Sequence, residues 1–267
     1  MGSIADKLSK LMETKSAIKS AITAKGVTIS DSDPFSSYAG KIAQIEGGGG
    51  GEGTVGLVDG TITSYSGDES YIRGYAFYGC ENLESVSLTK AISAGNSSFY
   101  NCSKLNILDM PNLENSEDRA FYGCDALVSV NMPKLKNISE WMFFSCDNLA
   151  ETNFNSVTEI ESYGFRNCPS LSLIILPSAV SIGKSAFASC SSLKALVLPG
   201  DQFCVLESID ALDSTPIESG EGYIYVPKNL VSKYVHAANW TRFADQIRAI
   251  EDYPDIVNII ATMEAAA

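Results

Sequence analysis

The groups in this 267-residue chain that could do chemistry are one histidine, seven cysteines and 32 carboxylates. His236 is the one side chain able to complete a Ser-His-Asp triad. No G-x-S-x-G elbow accompanies it, and it falls in a stretch that reads as a terminal helix. Carboxylate pairs such as Glu117 with Asp118, or Glu151 with Glu159, have the residue type for acid/base work, but they sit on polar turns and read as solvated charges. A formal G-x-G-x-x-G match lies inside the glycine-rich run 47–53, where no strand precedes it, so it implies no nucleotide site. No Cys-x-x-Cys occurs, which argues against zinc. Four N-x-S/T sequons, at Asn96, Asn101, Asn137 and Asn239, carry weight only with a secretory route. The expectation is therefore no catalytic residue, no cofactor and no metal.

The cysteines mark something else. Phe77 and Cys80 return as Phe99/Cys102, Phe121/Cys124, Phe143/Cys146, Phe165/Cys168 and Phe187/Cys190, each step 22 residues without insertion. A fixed period in this range is the signature of a solenoid. Three residues after each Cys comes a Leu (Leu83 in the first copy), and then a Val-x-Leu pattern (Val86, Leu88) that predicts one short strand per coil with alternate side chains inward. Pro111, Pro133, Pro177 and Pro199 end four of these strands, because proline cannot donate to a ladder. An apolar residue five before each Phe completes the coil, except at Ser116. One coil cannot bury its own apolar face, so neighbours must stack. Six cysteines keep the register and only Cys204 is extra. They read as a ladder of buried free thiols, with oxidation between neighbouring coils as the alternative.

Two surfaces of such a stack stand out. The residue after each Phe is Tyr78, Tyr100, Tyr122, Phe144, Arg166 and Ala188. The first four predict an aromatic ladder, which either shields the coil edge by mutual stacking or forms a platform for a sugar or protein ligand. The outward strand positions hold Ser85/Ser87, Ile107/Asp109, Ser129/Asn131 and Glu151/Asn153, then Leu173/Ile175 and Ala195/Val197. Asp109, Asn131, Glu151 and Asn153 are the candidate ligand-binding residues. The apolar coils beyond them are either covered by the C-terminal segment or are a contact site.

The flanks differ in composition. Ile4, Leu8, Leu11, Ile18 and Ile22 form a heptad seam interrupted by Lys15, and Pro34 opens a second apolar helix. Residues 1–46 thus predict a helical module, either a hairpin folding on itself or an assembly module, with 47–53 as linker. Residues 54–74 read as a degenerate first coil, with Thr54-Val55-Gly56-Leu57-Val58 and Thr61-Ile62-Thr63 as short strands. After Pro199 the register fails, with Phe203, Cys204, Leu206 and Ile209 out of phase. Tyr223-Ile224-Tyr225-Val226 reads as a last strand, and 229–250 as a capping helix. Ile256-Val257-Asn258-Ile259-Ile260 either docks back or contacts a neighbour. The net charge of −13 argues against nucleic acid or an anionic membrane as partner, and no run is long enough to span a bilayer.

The consensus I-x-x-x-A-F-x-x-C-x-x-L-x-x-I-x-L-P resembles the leucine-rich repeats of BspA-like proteins over roughly residues 54–227. That resemblance implies a leucine-rich-repeat solenoid of α/β type, followed by a cap helix and tail at 228–267. It also implies ligand binding without chemistry, since members are mostly cell-surface or secreted binding and adhesion proteins. The N-terminal run K-L-x-x-L-x-x-T-K-x-A-I-K-x-A-I-x-x-K-G-V, then P-F-S-S-Y-A-G-K-I, is similar to segments of phage and prophage tail or fibre proteins. It implies a virion component that presents the repeats to a host surface and touches other virion proteins through residues 1–46. A homo-oligomer, by analogy with fibres a trimer, goes with it. The start Met1–Lys7 lacks the basic and apolar regions of a secretory signal. The alternative is a bacterial surface adhesin whose export signal is missing. Either way the expected ligand is a protein or glycan on a cell surface.

Overall fold

The computed structural model describes residues 19–20, 54–55, 58 and 60–265. The heptad seam Ile4, Leu8, Leu11, Ile18 and Ile22 lies outside the described residues, as does the linker 47–53.

From Thr54 onward the chain winds into a right-through stack of parallel coils, about eight turns held by three ladders. The first ladder is the predicted one. Its three-residue strands, such as Ser85–Ser87, Ile107–Asp109 and Ser129–Asn131, point one central apolar residue inward. Val86 stands opposite Leu108, and Ile174 opposite Leu196, each 22 residues on. The second ladder corrects the expectation of one strand per coil. Two-residue strands such as Tyr71–Ile72, Ser93–Ala94 and Glu159–Ile160 pair in parallel on the other side of each coil. Their inward residue is the apolar one five before the Phe, which holds only one inward place and so shows no alternation in sequence.

The third ladder is made of turns. The Phe77 N–H donates to the Ser98 carbonyl at 2.7 Å, and Phe99 to Ala120, Phe121 to Met142 and Phe143 to Gly164 follow at 2.8–3.0 Å. Each turn needs two left-handed residues, two before and two after the Phe. They are Tyr75 and Gly79 in one coil, Ser97 and Asn101 in the next, and Arg119 and Gly123 in the third, all with φ between 52° and 67°. Gly and Asn fit that region readily; Tyr and Arg do not.

The core runs the length of the stack. Phe77, Phe99, Phe121, Phe143, Phe165 and Phe187 are fully buried and stacked, centroids 4.7–5.5 Å apart and planes within 9°. The cysteines are free and buried, as read. Each thiol from Cys102 to Cys190 also donates to a Phe carbonyl of the previous coil, Cys102 Sγ to Phe77 O at 3.1 Å and Cys168 Sγ to Phe143 O at 3.0 Å. The residue is thus a small apolar filler that also gives a buried carbonyl a second hydrogen bond.

Both ends depart from the sequence reading. The first-coil strand is Ser64–Ser66 rather than Thr61–Thr63. Tyr65 takes the inward place opposite Val86, and its ring meets Phe77 edge-on at 5.0 Å. Beyond Pro199 the coil persists with added residues. Ser181 pairs with Val205, 24 residues on, and the Phe187 N–H donates to Ala211, which puts Leu212 in the Phe place. Leu206 is buried there, whereas Ile209 stays exposed. Tyr223–Val226 is a strand, but Ile247–Ala249 pairs beyond it. The helix read over 229–250 is broken into Val231–His236, a 3-10 stretch Trp240–Gln246, and that added strand. The break has a cause in the preceding coil. Asn239 sits at φ 65° with its amide donating to Leu206 O at 2.7 Å, and Trp240 Nε1 donates to Cys204 O at 2.9 Å. Tyr234 Oη meanwhile accepts from the Cys204 N–H at 2.9 Å. Three anchors to one coil outweigh helix continuity.

The chain ends in a helix, Pro254–Ala265. Ile256, with Ile260 and Met263, packs on Ile175, Val197 and Tyr225. The tail therefore docks back, and the apolar outward face of the last coils is its seat.

Candidate functional site

The docked helix sets the limit of the free strand face. Ile175 and Val197 are buried beneath it, while Asp109, Asn131 and Glu151 are exposed and Asn153 is half-buried. The parallel register brings the predicted residues into two rows. Asp109, Asn131 and Asn153 occupy the third strand place on successive coils, and Glu151 lies opposite Ser129 in the first. Asn153 Nδ2 donates to Asn131 Oδ1 at 2.8 Å, and Ser87 Oγ donates to Asp109 Oδ2 at 3.2 Å. The row is thus cross-braced in two pairs, Ser87 with Asp109 and Asn131 with Asn153. The Asn153 amide oxygen is buried and has no partner. Beside the row Ile107 is 62% exposed, an apolar point in a polar field.

The aromatic ladder forms as predicted and extends further. Tyr78, Tyr100, Tyr122 and Phe144 stack at 4.8, 4.6 and 4.7 Å with planes 7–16° apart. Three residues missed in the sequence extend it from the left-handed position two before the Phe. Tyr75 leans on Tyr78 at 5.6 Å, Trp141 on Phe144 at 4.9 Å, and Trp141 stacks on Tyr163 at 4.1 Å. Their constant offset from the Phe was a usable signal, diluted because Ser97, Arg119 and Ser185 hold the same place in the other coils. Burial, with a contribution from neighbouring Tyr122, raises the Tyr100 phenol above its ordinary range. Glu140 accepts from Trp141 Nε1 at 2.8 Å, which fixes the indole.

The groups with chemical potential are dispersed. His236 ends the short helix, exposed, with Nδ1 2.8 Å from the Ser232 carbonyl oxygen. Glu117 accepts from the Asn96 N–H at 2.9 Å. Glu151 and Glu159 stand on different ladders of one coil. Among the described residues no group of three or more His, Cys, Asp or Glu could hold a metal ion, and no helix is long and apolar enough to cross a membrane. A cavity of about 740 Å³ lies between the short helix and the last strand, lined by Val231, Val235, Ile247, Arg248 and Tyr253 among others. Neither predicted surface contributes to it.

Parallel coils, a buried Phe stack and a broad outer surface define a leucine-rich-repeat solenoid. Residues 70–201 match the BspA type leucine rich repeat region in six copies. Among solved structures, a leucine-rich-repeat protein of T. pallidum is similar at 27% identity and TM-score 0.53, covering 57% of this chain and 76% of its own. A leucine-rich-repeat protein from Eubacterium ventriosum is similar at 20% identity and TM-score 0.56, covering 61% of this chain; this chain spans 46% of it. No curated protein matches.

Proposed function

We propose that this chain is a non-enzymatic binding protein, adhesin-like, that offers the free strand face of its repeat array to a protein or glycan ligand. One observation carries the reading. The inward positions repeat from coil to coil, whereas the outward positions from Ser85 to Asn153 vary, are mostly polar, and are left uncovered by the C-terminal helix. A rigid parallel array makes such a surface broad and preorganised. The family match supports binding without chemistry and supports display at a bacterial cell surface. Display on a phage tail or fibre has only the N-terminal resemblance behind it, and the comparisons lend it no support. In either setting residues 1–46 serve as the assembly module and 47–53 as a spacer. Light scattering on the full chain and on one beginning at Thr54 tests that division; two monomers would rule out self-assembly through residues 1–46.

The test of the strand face is a pair of variants in a cell-surface binding assay. Asn131→Ala, Glu151→Ala and Asn153→Ala together should abolish binding, with stability changed by about 0.5 kcal/mol per exposed site and somewhat more at half-buried Asn153. Tyr100→Ala with Tyr122→Ala is the paired variant. If that one loses binding while folded and the strand-face variant does not, the strand-face assignment fails.

A further inference from the structure

We propose that the aromatic edge, running from Tyr75 to Tyr163, is a second docking surface, and that its occupant is a basic polypeptide segment of a partner protein. The geometry first argues against the sugar platform. Stacking a sugar needs an open ring face, yet Tyr100 and Tyr122 carry a ring on each face at 4.6–4.8 Å, and the end rings Tyr78 and Phe144 are met by Tyr75 and Trp141 at 5.6 and 4.9 Å. What they turn to solvent is a row of ring edges and phenol hydroxyls at the spacing of the coils. Such groups suit peptide carbonyls, peptide N–H groups and guanidinium donors.

The backbone gives a second reason. Tyr75, Trp141 and Tyr163 sit at φ 63°, 60° and 64°, where bulky side chains are disfavoured and Asn or Gly would relieve the turn. Ser97 and Ser185 show that the turn accepts small residues at this place. Aromatic rings are therefore held there at a cost that the turn itself does not require. Tyr75 and Tyr78 remain 53% and 52% exposed. Tyr and Trp are also the residues most enriched in protein interfaces.

Charge selects the partner. In register on one side of the rings lie Glu117, Asp118, Glu140 and Glu161; on the other lie Asp125 and Asp147. Arg119 and Arg166 sit among the rings, Arg73 holds the Glu117 place two coils earlier and Lys184 the Glu140 place two coils later, so the balance is acidic over the middle coils. Burial and then Asp147 hold the Asp125 carboxyl above its usual range, and burial, Asp118 and Glu159 do the same for Glu161. A cation placed between the rows relieves that repulsion. A second copy of this chain would bring the same carboxylates and meet like charge.

Trp141 makes the test direct. The chain has two tryptophans, and Trp240 is fully buried in the cap, so ligand-dependent emission changes report Trp141. The probes are an unstructured Arg-Ser repeat peptide, its Glu-Ser counterpart and a cello-oligosaccharide. The Arg-Ser peptide should shift the emission saturably and the other two should not. Tyr100→Ala with Tyr122→Ala should weaken it at least about tenfold at unchanged charge, and so should Asp125→Asn with Asp147→Asn and Glu161→Gln. Glu84→Gln with Asp201→Asn and Glu221→Gln removes three charges elsewhere and should stay within about twofold; circular dichroism checks that every variant is folded. The proposal is overturned if the remote-charge variant loses as much affinity as the border variant. It is overturned equally if the ring variant keeps its affinity, or if the oligosaccharide shifts the emission as the peptide does. None of these variants touches the strand face, so failure here leaves the reading above intact.

Discussion

The thiol ladder should make the array sensitive to alkali. Burial holds the Cys102, Cys124, Cys146 and Cys168 thiols well above the ordinary thiol range and pushes Cys204 up to about 12. In the unfolded chain the same thiols ionise near about pH 8.5. The folded values are the higher ones, so the stability they confer is fully present below about pH 8.5 and is lost as the pH rises toward the folded values. At about pH 9.5 each unfolded thiol gains about 1.4 kcal/mol by ionising, or about 7 kcal/mol for five. That is comparable to the whole stability of an ordinary domain, about 5–15 kcal/mol. The comparator is Cys102→Ala with Cys124→Ala and Cys146→Ala. It leaves no carbonyl orphaned, because Phe77 O, Phe99 O and Phe121 O each still accept from a backbone N–H at 3.1–3.4 Å. Urea unfolding followed by far-UV circular dichroism at about pH 7 and about pH 9.5 gives the loss for each protein. It should fall from about 7 kcal/mol to about 3 kcal/mol in the variant, since two of the five thiols remain. Equal losses in the two proteins would refute the thiol origin. Rapid reaction of the native protein with a thiol reagent at about pH 8 would refute burial itself.

Other expectations follow from the core and the cap. Phe143 is fully buried between Phe121 and Phe165, so Phe143→Ala should cost about 3–5 kcal/mol in denaturant titration. Phe143→Leu should cost much less, because Leu212 already fills that place in the modified coil. Ile256→Asp with Ile260→Asp should lift the C-terminal helix and uncover Ile175 and Val197, seen as new binding of a hydrophobic dye; an unchanged dye signal would mean that the helix does not depend on that face. Trp240→Phe keeps the ring but drops the bond to Cys204 O, and should cost about 1–3 kcal/mol in thermal or urea unfolding.

The regular coils were legible because every one of their core positions is fixed by the same contacts. A Phe that must stack on the Phe of the next coil, and a Cys that must fit beneath a carbonyl, leave a period that their spacing along the chain displays. The outward surfaces were legible as positions, since whatever is not core on a known period faces out. Which surface stays open was decided by tertiary structure. The apolar outward residues of the later coils say only that something covers them, and the docking of Ile256 on Val197 says what. The second strand of each coil was hidden because two residues with one inward side chain carry no alternation. Tyr75, Trp141 and Tyr163 were hidden for a related reason. Their common feature is a left-handed backbone angle imposed by the turn, which tolerates Ser and Arg as well and so leaves no residue type to recognise. The broken cap had the opposite problem. Its sequence favours a continuous helix, and only the bonds from Asn239, Trp240 and Tyr234 to one earlier coil, made from residues about thirty places away, turn it back into the sheet. Periodicity records contacts between equivalent places; contacts between unlike places, at the ends of the stack, leave no such trace.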